Sequence, residues 1–364
     1  MDFKKIFIKD ACPTKIGGQA VLEGIMMKGE GRQSLVVRLS DHRLYISTEL
    51  LAPLSKWRKI PIIRGVFIFV DSLVTGIKTI SKSAELLEAE EPEADTSSDG
   101  PDETEQDGKF TAWLIRRFGE QAPMRLAIVF SVVLALAITI LVFIILPTWL
   151  IGLLGGVIKS GIVLNLIEGA IRIIFFVLYI AGVSRMKEIQ TVFRYHGAEH
   201  KTIHCFENKL ELTPANCQQF ETLHPRCGTS FLMFVMVIAL LLFSLLGWPN
   251  LVLRITSRLV LIPLIAGLSF ELLRFAGRST SWFVKALSYP GLLLQKLTTK
   301  KPDDSQLEVA IAALKAVLVP VDTPVYEGIC GLDGMLLPEF MDPVSLGIEG
   351  SPLVAAGYAS PYGA

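Results

Sequence analysis

Long apolar runs fill the middle of the chain, and short alternating runs fill its beginning. Residues 126–146 (LAIVFSVVLALAITILVFIIL) carry no charge, and at 1.5 Å per residue they are long enough to cross a hydrocarbon layer of about 30 Å. Three more runs are candidates to span: 161–184, interrupted by Glu168 and Arg172, then 229–248, and a shorter one at 259–276 with Glu271 near its end. A fifth apolar stretch, 60–80, holds Arg64, Asp71 and Lys78, so it is expected to lie in the membrane interface or pack on the bundle. Upstream, SLVVRL and LYISTE flank the polar break SDHR, the pattern of a hairpin. KIGGQAVLEGIMMKGEG reads as strand punctuated by tight turns. Near the far end, 281–300 is amphipathic, and QLEVAIAALKAVL (306–318) reads as a helix starting at Asp303–Ser305.

Composition agrees with a membrane protein. Of 364 residues, 51% are hydrophobic and 19% charged, against roughly 25% charged in soluble domains. The net charge of zero hides an asymmetry, because 83–108 holds eleven acids and no Lys or Arg. Within it, 85–108 reads as an acidic disordered linker. The remaining basic surplus flanks the apolar runs, which marks topology and argues against nucleic acid. Lys109, Arg116, Arg117 and Arg125 precede the first span, six Lys or Arg fall in 185–228, and six more follow the fourth span up to Lys301. Within the intervening turns, 147–160 carries only Lys159 and 249–257 only Arg254. This alternation predicts a multi-pass protein with both termini and 185–228 in the cytoplasm. No secretory signal is visible, and five cysteines in no regular framework argue against a disulfide scaffold.

The expected architecture is an α-helical integral membrane protein of four spans with a small N-terminal cytoplasmic β element. Its parts are a β-rich segment with an interfacial helix (1–84), the acidic linker (85–108) and the bundle with its His-rich connection 185–228 (109–300). A C-terminal helix (301–320) and a Gly/Pro-rich tail of little order (321–364) follow.

The candidate chemistry is concentrated at the cytoplasmic face. Four of five histidines lie between 196 and 224. His196-Gly-Ala-Glu199-His200 is H-x-x-E-H, the inverted zinc-protease pattern. On a helix the two imidazoles share a face and can reach one metal, with Glu199 beside it to act on a water. His204 and Glu207 extend that face. His224 and Cys227, three apart in a Pro/Gly-shaped turn, could add imidazole and thiolate ligands, because a reducing cytoplasm keeps the thiol free. Glu271 is placed near the same membrane face as a further candidate ligand, or as a partner of Arg274. Cys205 and Cys217 read as small buried residues. Glu168 and Arg172, four apart within a span, read first as a self-neutralising pair and second as an ion path. A di-iron oxygenase is excluded by too few histidines and a single Glu-x-x-His. Nucleophile elbows and phosphate-binding Gly loops are absent.

KIGGQAVLEGIMMKG, YHGAEHKTIHCFE, HPRCGTSF and PDDSQLEVAIAALKAVL, in that order, resemble the YqhQ-like family of bacterial membrane proteins. That family is a domain of unknown function described as predicted metal-dependent enzymes, and the likeness covers about 15–320. It draws attention to Gly17, Gly18, Glu23 and Gly24, then to His196, Glu199, His200, His204, His224, Cys227 and Glu271. It implies location in a bacterial cell membrane. The leading expectation is a metal-dependent hydrolase acting on a peptide or lipid-linked substrate. Zinc would sit on His196 and His200 with a third ligand from Glu271, His224 or Cys227, and Glu199 would serve as general base. The alternatives are a structural or sensory metal site, and a role in assembly or transport through Glu168 and Arg172. Membrane lipid is the expected surrounding, and a protein partner or homo-oligomer would bear on the last alternative.

Overall fold

The computed structural model describes Ile6 and residues 14–52, 60–89, 122–153, 158–247, 250–276 and 281–330. Both segments read as extended at the start of the chain form hairpins. Strands β1 (Gly17–Val21), β2 (Gly24–Lys28), β3 (Arg32–Arg38) and β4 (Leu44–Leu50) are antiparallel neighbours in chain order, and β5 (Glu327–Cys330) closes the sheet against β4. Val36 sits opposite Ile46 and Gln19 opposite Met26. The SDHR break is the β3–β4 turn, with His42 at φ 67°. The strand β5 lies in the stretch expected to have little order. Its long-range pairing, Tyr45 opposite Ile329, is invisible to local composition. The rest of that tail, 331–364, and acidic residues 90–108 lie outside the described residues.

Alternation along the strands serves two apolar layers. Ile25, Met27, Val36 and Ile46 join one buried cluster with Tyr195, Ile203, Leu307, Ile311 and Leu314. Val21, Met26, Leu35 and Val37 face the other way, towards Leu86 and Leu87. The first layer is completed by two helices expected from sequence in part. The 185–228 connection is largely helical, and the H-x-x-E-H residues sit on its long helix. The helix after the membrane region, begun by a capping box in which Asp303 accepts from the Gln306 N–H at 3.0 Å and Gln306 answers to the Asp303 N–H at 3.2 Å, is buried along nearly its whole length. An almost fully buried helix needs apolar residues on every side, and AIAALKAVL supplies them.

In chain order the helices are α1 (Ile63–Glu88), α2 (Ala122–Ile140), α3 (Leu146–Gly152), α4 (Gly161–Val183), α5 (Lys187–Glu207), α6 (Pro214–Gln218), α7 (Gly228–Ser244), α8 (Leu251–Ala276), α9 (Trp282–Thr298) and α10 (Asp304–Leu318). A π-helical segment, Leu141–Ile145, joins α2 to α3. The acidic segment expected from 85 onward begins within α1, which runs to Glu88.

Among the described residues three helices are long and apolar enough to cross a membrane: Phe130–Gly152, Gly161–Val183 and Val252–Ala276. Two details differ from the sequence reading. The run 229–248 becomes the 17-residue helix α7, short of the ~20 residues a full crossing takes. The run at 259–276 begins earlier, at Leu251, because the helix continues through Arg254 and Arg258, both buried. The chain divides into two compact units. One comprises 1–90, 177–239 and 249–364, and the other 91–176 and 240–248.

In the second unit, Glu168 and Arg172 form the buried pair that their spacing predicts. Pro147 has no N–H to offer the carbonyl of Phe143 one turn earlier. Arg172 Nε donates to that carbonyl at 2.9 Å instead. Thr148 Oγ1 donates to Glu168 Oε1 at 2.6 Å, so every charge here is satisfied within the bundle.

Candidate metal centre

From Tyr195 to Glu207 helix α5 is buried on nearly every side, Glu199, His200, His204 and Glu207 included. Its approach to the chain after α9 is close. A Cβ on Gly197 would lie 2.0 Å from the carbonyl oxygen of Lys300, so only glycine lets the two backbones meet. The contact is secured by the Lys300 N–H donating to the Phe193 carbonyl at 2.9 Å. It places the Thr298 carbonyl 2.8 Å from His196 Nδ1. Similarly, the Thr222 carbonyl lies 2.5 Å from His200 Nδ1. Each Nδ1–H donates to a carbonyl, which leaves both Nε2 atoms as lone-pair donors.

Those two nitrogens face one thiol. His196 Nε2 is 3.1 Å from Cys227 Sγ, and ligand atoms of His196, His200 and Cys227 all lie within 4.8 Å of one another. His200 Nε2 is buried with no hydrogen-bond partner. Burial opposes the Cys227 thiolate, but the neighbouring His200 imidazole and donation from Thr229 outweigh it and hold the thiol below its ordinary pKa. Two imidazoles and an acidic thiol aimed at one point suit a borderline-soft divalent ion such as zinc.

Glu199 borders this group. Its Oε1 accepts from the Gly18 N–H at 2.8 Å, and its Oε2 is buried without a partner. Burial, reinforced by Cys227, pushes the carboxyl up to about 7 against the pull of His196 and the Gly18 N–H. Glu23, at φ 47° in the β1–β2 turn, accepts from Tyr195 Oη at 3.1 Å on the same helix. Glu207 accepts from the Thr14 N–H at 2.8 Å. Helix α5 therefore lies along β1 and is tied to the strand at Gly18 and to its flanks at Thr14 and Glu23.

The other sequence candidates are placed differently. His204 Nε2 is 3.0 Å from the Leu223 carbonyl, and burial lowers its pKa to about 4. His224 meets the His204 ring edge to face, with centroids 4.7 Å apart, and receives a hydrogen bond from Arg226 at 3.3 Å. Burial holds His224 at about 3. Arg226 also pairs with Glu207, so a guanidinium fills the space beside these two imidazoles. Glu271 is away from the cluster. It accepts from Arg64 Nε at 2.6 Å and from the Ile62 N–H at 3.4 Å, which ties α8 to α1. Its partner is Arg64 rather than the expected Arg274, because α1 folds back onto α8. Cys205 and Cys217 are fully buried.

Sequence reasoning missed the residues that aim the ligands. The Thr298 and Thr222 carbonyls are backbone groups and leave no signature in side-chain identity. Gln295 could have been found as a polar residue inside an amphipathic helix. It clamps His224 from both sides, accepting from its N–H at 2.8 Å and donating to its carbonyl at 2.8 Å.

A family model matches residues 60–319, a range that includes His196, His200 and Cys227. The chain belongs to that family, described as "Protein of unknown function (DUF1385)". It is 32% identical over 314 residues to the uncharacterized protein YqhQ of Bacillus subtilis (strain 168), covering 85% of this chain and 94% of that protein. No solved structure matches the chain. Membership of the DUF1385 family thus bears out the resemblance read from the motifs.

Proposed function

We propose that this DUF1385 protein is a multi-pass bacterial membrane protein carrying a zinc-dependent hydrolase centre at the cytoplasmic face. The observation that carries the reading is the pair of buried unpartnered atoms, His200 Nε2 and Glu199 Oε2, beside a low-pKa thiol. Unpaired buried polar atoms are costly, and a cation on His196, His200 and Cys227 satisfies the first directly. Three protein ligands leave a tetrahedral ion one open position, as catalytic zinc sites do. Zinc held by His196, His200 and Cys227 would supply Lewis acidity towards a water or a carbonyl. Glu199, with a pKa near neutrality and one free oxygen, is matched to take a proton at the operating pH. The Gly18 N–H fixes its other oxygen, and the Thr298 and Thr222 carbonyls fix the ring orientations. Membrane placement is supported by the three long apolar helices and the Lys/Arg alternation. With α7 as a fourth, short crossing, both termini lie in the cytoplasm.

A second reading has its own support. Glu199 and Glu207 both bind N–H groups of the β1 segment, which suits a structural or sensory metal that locks α5 to the sheet. Elemental mass spectrometry of the detergent-purified chain separates the outcomes. About one zinc per chain, lost in His200→Ala, is expected. X-ray absorption then counts ligands: two nitrogens, one sulfur and one additional light atom fit the hydrolase centre. A fourth protein ligand favours the structural site. Zinc absent from both proteins, folded and grown with metal, sinks both.

A further inference from the structure

A cavity of about 370 Å³ lies between the second face of the sheet and α1, on the opposite side of the sheet from α5. Its walls differ in sign. Lys78 and Lys82, one turn apart, line the helix wall, while Glu49 of β4 and Glu327 of β5 line the sheet wall. Among the described residues Lys78 has no carboxylate within ion-pair distance, and Lys82 Nζ stands 3.7 Å from Glu327. The Tyr45 ring faces the same space, with Lys82 Nζ 5.8 Å from its centroid, and its hydroxyl donates to Glu327. Opposed charges across a narrow space set up a field that orients a dipolar ligand. A phosphate suits the lysine side. A primary ammonium suits the carboxylates and the face of the tyrosine ring.

The outer face of α1 says where such a ligand comes from. Opposite the sheet, Ile63, Phe67, Val70, Val74 and Ile77 form an exposed apolar stripe at helical spacing, with Ile77 68% exposed. The stripe starts where α1 meets α8, a helix long and apolar enough to cross a membrane. Gly65 there packs against Gly267, leaving no room for a Cβ on either, and Arg64 pairs with Glu271. An apolar stripe flanked by lysines and continuous with a spanning helix has the character of a helix lying in the interface. We propose that α1 lies in the cytoplasmic leaflet and that the cavity behind it binds the headgroup of an amine-bearing phospholipid of the ethanolamine type. The phosphate sits on Lys78 and Lys82 and the ammonium on Glu49, Glu327 and Tyr45. The inference rests on the membrane reading above but not on the zinc centre.

Two experiments on the full chain test it. Native mass spectrometry from detergent micelles should show one dioleoylphosphatidylethanolamine retained in preference to phosphatidylglycerol, which lacks the amine. The double variant Lys78→Ala/Lys82→Ala, and separately Glu49→Gln, should weaken retention at least about fivefold, as loss of hydrogen bonds to charged groups does. Unchanged retention in both variants, or equal retention of the two lipids, overturns the proposal. So does free phosphoethanolamine competing as well as the lipid on a molar basis, which would make the ligand soluble. Benzophenone side chains placed at Ile77 and at Leu253 of α8 then separate the two readings. Lipid adducts at both positions support the inference. Adducts at Leu253 alone overturn it while leaving the membrane reading standing, and adducts at neither overturn both.

Discussion

Gly18 of the first strand donates its backbone N–H to one oxygen of Glu199 at 2.8 Å, and the other oxygen of the same carboxyl has no partner. One half of the group is held by the sheet and the other half is buried without a partner. This asymmetry separates Glu199 from Glu207, which is held by both Thr14 and Arg226.

Glu199→Gln is expected to keep the Gly18 bond and the zinc while reducing turnover by at least about a hundredfold, the scale of general acid–base catalysis. A substrate screen run beside metal analysis checks this. Full activity in the variant would remove the general-base role.

The same carboxyl makes a stability prediction for the metal-free protein. Its folded pKa of about 7 lies above the ordinary 4.5, so the folded state holds the proton more tightly. The contribution is complete below pH 4.5 and is lost as pH rises through 7. Glu199→Gln, permanently neutral, should therefore gain thermal stability relative to the wild type as pH rises from 4.5 to about 8. A constant difference in melting temperature over that range would contradict the assignment.

Gly197→Ala should drive α5 from the 298–300 segment, since its Cβ would meet the Lys300 oxygen at 2.0 Å. Overpacking of this kind costs about 1–3 kcal/mol. Here it also withdraws the Thr298 carbonyl that orients His196. We expect a lower melting temperature together with weaker zinc retention under chelator challenge. Normal retention would show that the carbonyl does not set the ring.

Arg32 is fully buried and donates to the carbonyls of Pro320, Thr323 and Pro324. It holds the turn between α10 and β5 against β3. Arg32→Met is expected to cost about 2–3 kcal/mol, as loss of hydrogen bonds to a charged group does. Amide exchange should accelerate in 327–330 while the β1–β2 hairpin stays protected. Uniform acceleration across the sheet would argue against a local staple.

Arg172→Met leaves Glu168 fully buried without its counter-charge and the Phe143 carbonyl without a donor. Breaking one side of a buried pair costs about 3–5 kcal/mol. The double variant Glu168→Gln/Arg172→Met should recover part of that loss in detergent thermal unfolding. No recovery would mean that the pair is not the reason for the cost.

The sequence alone determined what short-range periodicity and residue chemistry control. Alternation marked the β3–β4 hairpin, a glycine-punctuated apolar run marked the strands β1 and β2, and Asp303–Ser305 marked the start of α10. Long apolar runs marked the three membrane-length helices, while the fourth expected run, 229–248, forms the shorter α7, and the spacing of His196 and His200 put both rings on one helical face. Cys227 was legible as a candidate third ligand, though not separable from His224 or Glu271. Which of the three stands beside the His196 and His200 rings belonged to the tertiary structure. Arg226 fills the space beside His224 and His204, Arg64 takes Glu271, and the Thr222 and Thr298 carbonyls turn the remaining imidazoles towards the thiol. Backbone carbonyls carry no residue identity, and ion-pair partners more than 200 positions apart, such as Arg64 and Glu271, leave no local pattern. The return of Glu327–Cys330 to the sheet and the cavity under α1 depend on the same long-range closure. Periodicity is a local property of the chain, whereas the direction in which a ligand points is fixed by whatever packs against it.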